Sequence, residues 1–457
     1  MTFTSVDFKD LESFILEKMS ETKIPSLSIA IVQGDKTVYA RGFGFRDISS
    51  GLPATPRTLY GIGSVTKSFT AIATMQLVEE GRISLDDPID KYVPVKLKPH
   101  GETISIHHLL THSSGLPALA YAEAFIRGVL GLDHHWLPVS SPEDIITFMK
   151  DSEKWAVSKP GERFFYLNEG YVLLGKIISK LSGVSYEEFI RKRILQPLKM
   201  SRTFFSKIDV ENDDDRATAY ILGKEGKHII STFPFGITSD GGLISNVIDL
   251  SNYIKMYINR GEFQGTRIIN SEKLELMEKT HMKLPYQVFG EESYGYGWTI
   301  TPNFHGYRLI SHGGSVLVYT AHVGYIPQKK IGVAILANAS GYLLSHIGMY
   351  ALSQQLGADP KRLPFIKSDE ILGKLKGEYE TYKGTMKASV KKKGDFLYLE
   401  VKDKYTEEIV PLIPERLEED QAVFYTISGG KKYTADFEIR KDAIKMIYER
   451  YKLLKKA

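Results

Sequence analysis

The sequence predicts an α/β chain: one antiparallel sheet flanked by helices, with an inserted helical subdomain, then a small antiparallel β-domain. Three observations carry that reading. Strand-like runs stand near both ends of residues 1–357 and enclose a helix-rich middle. Residues 358–370, rich in Pro and charge, read as a linker. From 371 to 457, short β-like runs are separated by Gly or charged turns. At 457 residues the chain is also too long for one ordinary core.

In chain order, Phe8 to Met19 have helical spacing, with Leu11, Phe14, Ile15 and Met19 on one face. SLSIAIVQ and KTVYARGFG follow as strands, and Gly34-Asp35 between them reads as a hairpin turn. A helix begins near Ser64 and runs through SFTAIATMQLVEEG. The middle holds PEDIITFMKD, EGYVLLGKIISKLSG and DLSNYIKMYINRG, all helical in pattern. Strands return from about residue 294 as YGYGWTI, YRLISHG, LVYTAHVGYIP and IGVAILANA, and the helix IGMYALSQQLG closes the region. In the last region Tyr433, Ala435, Phe437 and Ile439 alternate with polar residues, as a half-buried strand requires. This region reads as a small barrel or sandwich. Lys391-Lys392-Lys393 reads as a solvated hairpin end.

Composition narrows the function. Net charge is only +4, from 59 basic and 55 acidic side chains, which disfavours nucleic-acid and membrane partners. Cysteine is absent, which excludes disulfides, thiolate catalysis and cysteine-bound zinc. The N-terminal stretch lacks the apolar core of a signal peptide, so the expected compartment is the cytoplasm. Abundant Lys, Glu, Ile and Tyr suit a hot environment.

Ser64-Val65-Thr66-Lys67 opens a helix, and positions i and i+3 share a face, so the lysine amine can sit beside the serine hydroxyl. A serine needs a base to become a nucleophile, and lysine serves only when burial or positive charge lowers its pKa. The bland alternative is a serine cap with a solvent lysine. GIGSVTKS also nearly matches the phosphate-binding loop, with Gly61, Lys67 and Ser68 in place, but Thr66 stands where the second glycine belongs. A nucleotide-binding protein is therefore the reading outside the hydrolases. Tyr166-Leu167-Asn168 and His312-Gly313-Gly314-Ser315 add two further polar motifs, each beside an apolar run.

These three motifs, in this order, resemble those of the penicillin-binding-protein-like serine hydrolases. That group contains class C β-lactamases, DD-peptidases, D-aminopeptidases and related esterases. Its S-x-x-K, Y-x-N and K-T-G or H-x-G motifs are matched, as are LLTHSSGLP, ISLDDPIDKYVP, PGERFFYLNEGYVLLG, TSDGGLISNVIDL and ILAN. The resemblance covers about residues 5 to 357. It implies Ser64 as acylated nucleophile, with Lys67 and Tyr166 moving its proton, and leaves open which of the two is the base. It implies Asn168 as a holder of Lys67 and of the substrate carbonyl. It implies an oxyanion hole from the backbone N–H groups of Ser64 and Ser315. His312 stands where β-lactamases carry lysine, and because the group's DD-peptidases and D-aminopeptidases also use histidine there, it argues against a dedicated β-lactamase more than against peptidase activity. Gly313 and Gly314 leave room for substrate backbone along the strand. D-Aminopeptidases of the group append lipocalin-like barrels, which suggests the same for residues 371–457.

The expected function is a serine peptidase acting on short peptides, including those with D-residues, with a carboxylesterase as the alternative. No cofactor or metal is implied, and the expected partners are a small peptide or ester substrate and further copies of the chain. An inactive binding protein is disfavoured because all three motifs are intact. His108 and His112 have metal-ligand spacing, yet they fall in the group's own L-L-x-H-x-S-G-L phrase and read as structural or cleft-lining. Asp133-His134-His135 reads either as a mobile or partner-covering segment near the cleft or as a plain surface loop, and Arg216 as part of a solvated loop.

Overall fold

The computed structural model describes residues 7–132, 139, 141–236, 238–402 and 404–456. The Asp133-His134-His135 segment lies outside them. The chain divides into two compact units, Met1–Ala358 and Asp359–Ala457.

The first unit is built on a nine-stranded sheet. Its order is Met282–Lys283, Ser293–Tyr294, Thr299–Phe304, Tyr307–Ser315, Thr320–Ile326, Ile331–Ala337, Ser26–Gln33, Lys36–Asp47 and Leu52–Pro53. Every pairing is antiparallel. The two ends of the unit meet in the sheet, with Ala30 opposite Ala334. Ile331–Ala337 is buried along its whole length and Ser26–Gln33 up to its last residue, because both faces are covered. A Cβ on Gly332 would meet Ile254 of the helix Val247–Ile258, whereas the next residue, Val333, faces Gly348 of the helix Leu344–Gln355. Neighbouring residues on one strand thus identify the two helical layers.

Two expected elements are shorter than their apolar patterns. YGYGWTI is not one strand: Ser293–Tyr294 and Thr299–Phe304 flank a turn in which Gly297 has φ 74°. A Cβ at Gly297 would approach the Ser68 Cα to 2.9 Å, so the turn lies directly on the helix that follows Ser64. That helix spans Thr66–Glu79, and a single 3₁₀ turn, Gly63–Val65, precedes it.

The second unit is a closed barrel of eight strands, from Gly377–Glu380 to Tyr451–Lys455. Pairing of Tyr379 with Lys455 closes it, which removes the edges a sandwich would leave. Ala435 and Phe437 point inward, as the alternation requires. The helix Pro364–Leu375, which begins within the stretch read as a linker, adds Ile371, Leu372 and Leu375 to the barrel core. Lys391 and Lys392 are ion-paired, to Glu400 and Asp369. Among the described residues, no helix is long and apolar enough to cross a membrane.

Candidate active site

Three segments of the first unit converge on one cleft of about 850 Å³. Ser64, Tyr166, Asn168, His312, Gly313, Gly314 and Ser315 all line it. The serine is delivered by the 3₁₀ turn before Thr66–Glu79, where backbone N–H groups lack intrahelical partners. Lys67, one turn on, is completely buried. Its Nζ donates to Ser64 Oγ at 3.0 Å, to Asn168 Oδ1 at 2.8 Å and to the Asp240 carbonyl at 2.6 Å. Burial lowers its pKa to about 8, against the opposing pull of Asp240, Glu123 and Glu169.

The Tyr166 ring lies beneath the same ammonium, with Nζ 4.9 Å from the ring centroid. Its hydroxyl is buried and faces Ser64 without a formed hydrogen bond. Burial pushes its pKa well up. The ring stacks on His112 with centroids 4.1 Å apart, and His112 Nδ1 accepts the Leu167 N–H at 2.9 Å. His112 therefore supports the Tyr-x-Asn segment from below. His108 Nδ1 instead turns to the Ser105 N–H at 3.1 Å. Among the described residues, no group of three or more His, Asp or Glu side chains is arranged to hold a metal ion.

The third wall is the end of the strand Tyr307–Ser315. Its pairing with Thr299–Phe304 stops at Ser311, whereas its pairing with Thr320–Ile326 continues to Ser315. Residues 312–315 thus present one strand edge to the cleft. The Val316 N–H bonds the Tyr319 carbonyl at 3.0 Å, and alternation along the ladder turns the Ser315 N–H the other way. It faces the serine turn: a Cβ on Gly63 would lie 2.7 Å from the Ser315 nitrogen. Gly63 has φ 51°, so glycine suits this position in backbone conformation as well.

The two glycines of the strand differ. A Cβ on Gly314 would fall 2.0 Å from the Ile62 carbonyl oxygen, so its space is taken by the protein's own backbone. A Cβ on Gly313 would meet nothing nearer than 3.9 Å, which leaves Gly313 as the position with open space. His312 is neutral and fully engaged. Nδ1 donates to the Gly313 carbonyl at 2.6 Å, and Nε2 accepts from Tyr294 Oη at 2.8 Å. Burial and the nearby Lys67 push its pKa down to about 4.

The phosphate-loop reading fails on this geometry. Gly61 belongs to a short strand paired with Ile244, and Lys67 is turned into the protein interior. The space beside Gly63 is occupied by Gly314 and Ser315 instead of being left as a cradle of free N–H groups.

Sequence reasoning missed Tyr294, Asp240 and Tyr121. Asp240 sits in the TSDGG phrase and is buried; its Oδ2 accepts the Tyr121 hydroxyl at 2.5 Å, while its backbone holds Lys67. Polar residues in a Gly-rich phrase read as turn formers, so nothing local marked this aspartate.

Residues 11–356 match the family described as Beta-lactamase, and residues 360–454 match the Pab87 octamerisation domain. An octameric penicillin-binding protein homologue from Pyrococcus abyssi superposes with TM-score 0.95 at 56% identity, covering 98% of this chain and all of that one. Protein flp of Staphylococcus aureus strain MW2 is 28% identical over 72% of this chain, and the match spans 63% of that protein. A D-stereospecific amidohydrolase from Streptomyces shares the fold at TM-score 0.63 and 23% identity, covering 77% of this chain and 99% of that one. With most of the first unit matched, and with Ser64 and Tyr166 lining its cleft beside the buried Lys67, the chain belongs to the beta-lactamase family of serine hydrolases.

Proposed function

We propose that this protein hydrolyses amide bonds of short peptides, D-residues included, through an acyl-enzyme on Ser64. The observation that carries this reading is the buried Lys67 amine 3.0 Å from Ser64 Oγ. Lys67 is the base. With a pKa near 8 a useful fraction is neutral at physiological pH, whereas Tyr166 is held protonated by burial. Lys67 takes the Ser64 proton as Oγ attacks the carbonyl carbon. The oxyanion then forms between the N–H groups of Ser64 and Ser315. Tyr166, still protonated, relays a proton to the leaving amine, and water repeats the sequence to free the acid. Asn168 holds Lys67 through Oδ1 and keeps its amide N–H groups for the substrate carbonyl. The edge at 312–315 binds substrate backbone as an added strand, which reads main chain rather than side chain. A carboxylesterase would use the same groups, and turnover of amides beside matched esters separates the two.

A fluorophosphonate tests the core of this reading. One adduct is expected, on the peptide containing Ser64. Its rate is expected to rise about tenfold per pH unit in the acid range and to level off above about 8, as Lys67 loses its proton. A rise centred near 4, where His312 titrates, would transfer the base role away from Lys67. Labelling at another residue would remove Ser64 from the mechanism.

We also propose that residues 1–357 form the catalytic domain and that the barrel drives assembly into a homo-oligomer. The match of residues 360–454 to an octamerisation domain supports this. Light scattering of the full chain is expected to return an octameric mass. A chain ending at Ala358 is expected to lose that mass while still hydrolysing small activated esters. Retention of the assembly after truncation would move the interface to the catalytic unit.

A further inference from the structure

We propose that Glu123 selects substrates with a free α-ammonium group, which makes the enzyme an aminopeptidase; this rests on the acyl-transfer reading above. Glu123 lies on the helix Tyr121–Val129 and lines the cleft together with Ser64 and Asn168. Its carboxylate makes no hydrogen bond or ion pair among the described residues. It shares the cleft lining with Ser64, Tyr166 and Asn168, and its charge raises the pKa of both Lys67 and Tyr166. Arg127, four residues on, also lines the cleft, but Glu123 is the one whose charge acts on that pair.

The helix that carries Glu123 is pinned from beneath. The Tyr121 N–H donates to Glu169 Oε1 at 3.2 Å and its hydroxyl to Asp240 Oδ2 at 2.5 Å. The second oxygen of Asp240, also on the cleft wall, is buried and has no hydrogen-bond partner among the described residues. Lys67 supplies the positive charge beside the buried Asp240, which leaves the exposed Glu123 carboxylate as the one on the cleft wall to meet a substrate cation. The opposite wall offers a substrate carboxylate little, because His312 is neutral and both its nitrogens are engaged. A peptide ammonium lies one carbon from the carbonyl that Ser64 attacks, which suits an acidic group on the acyl side of the cleft. The competing explanation is that a glutamate in the first turn of a helix merely complements the helix dipole.

The test uses the full chain and competition for Ser64. Labelling by fluorophosphonate is timed at pH 7 with aminoacyl amides, or with their N-acetyl counterparts, as competitors. Each variant is normalised to its own uncompeted rate, because loss of the Glu123 charge also eases deprotonation of Lys67. In the wild type, half-protection is expected at a concentration at least tenfold lower for the free amine. In Glu123→Gln that preference is expected to vanish while protection by the N-acetyl compounds is unchanged. Equal protection by both competitors in the wild type overturns the proposal. So does a preference that survives Glu123→Gln, as a dipole role would predict, or equal weakening of both competitors. Absence of uncompeted labelling at Ser64 is distinct from all of these: it defeats the acyl-transfer reading, and this one with it.

Discussion

Ser64→Ala and Lys67→Ala are each expected to lower kcat by about 10³-fold or more, and the double variant to lose little beyond either one. The two groups act in one step, so removing either abolishes the same event. Lys67 also ties Asn168 and the Asp240 carbonyl to the serine, so alanine would leave buried acceptors unpaired. Lys67→Met, which fills the space without the amine, separates loss of chemistry from loss of structure. It is expected to be as inactive as Lys67→Ala on amide and ester substrates alike, with a smaller drop in melting temperature. Steady-state kinetics beside thermal melts decide the matter. Additive losses in the double variant would mean that serine and lysine do not act as a unit.

The antiparallel sheet was legible because its strands recur at both ends of the first region, and Ala30 opposite Ala334 is the pairing that order demands. The barrel was legible only as barrel or sandwich. Alternation at Tyr433, Ala435, Phe437 and Ile439 marks a half-buried strand, but closure depends on the distant pairing of Tyr379 with Lys455. In the cleft, the helical i, i+3 spacing made Ser64 and Lys67 readable as a pair. The seating of His312 was not readable. Its partner Tyr294 is eighteen residues away and lies in an aromatic run that looks like ordinary strand packing. Tertiary contact, not local pattern, decides that this histidine is buried, neutral and committed. Glu123 escaped for a similar reason: one glutamate in the first turn of a helix has an ordinary local explanation, and only its place in the cleft suggests another.

Gly314→Ala is expected to lower kcat by about 10²- to 10³-fold through a methyl group that never touches substrate. The new Cβ would sit 2.0 Å from the Ile62 carbonyl oxygen and 3.1 Å from the Ser64 nitrogen. Relief requires a separation of about 1.5 Å, since nonbonded contacts settle near 3.5 Å. Neither side yields easily. The Ile62 N–H is bonded to the Leu243 carbonyl at 2.9 Å, and the strand carrying Gly314 is paired along its other edge with Thr320–Ile326. The opening must therefore come between the serine turn and the strand, which pulls the Ser64 and Ser315 N–H groups apart. An oxyanion hole with its donors spread by this much loses far more transition-state stabilisation than ground-state binding, so the effect falls on kcat. Gly313→Ala provides the contrast, because its Cβ would meet nothing within 3.9 Å and points into open space. That variant is expected to raise KM for peptides that lie along the edge, with a much smaller change in kcat. Overpacking at residue 314 also costs about 1–3 kcal/mol of stability, so a lower melting temperature accompanies the kinetic loss. If Gly314→Ala keeps kcat within about threefold while the protein stays folded, the Ser315 N–H does not serve as an oxyanion donor, and the strand edge only guides the substrate.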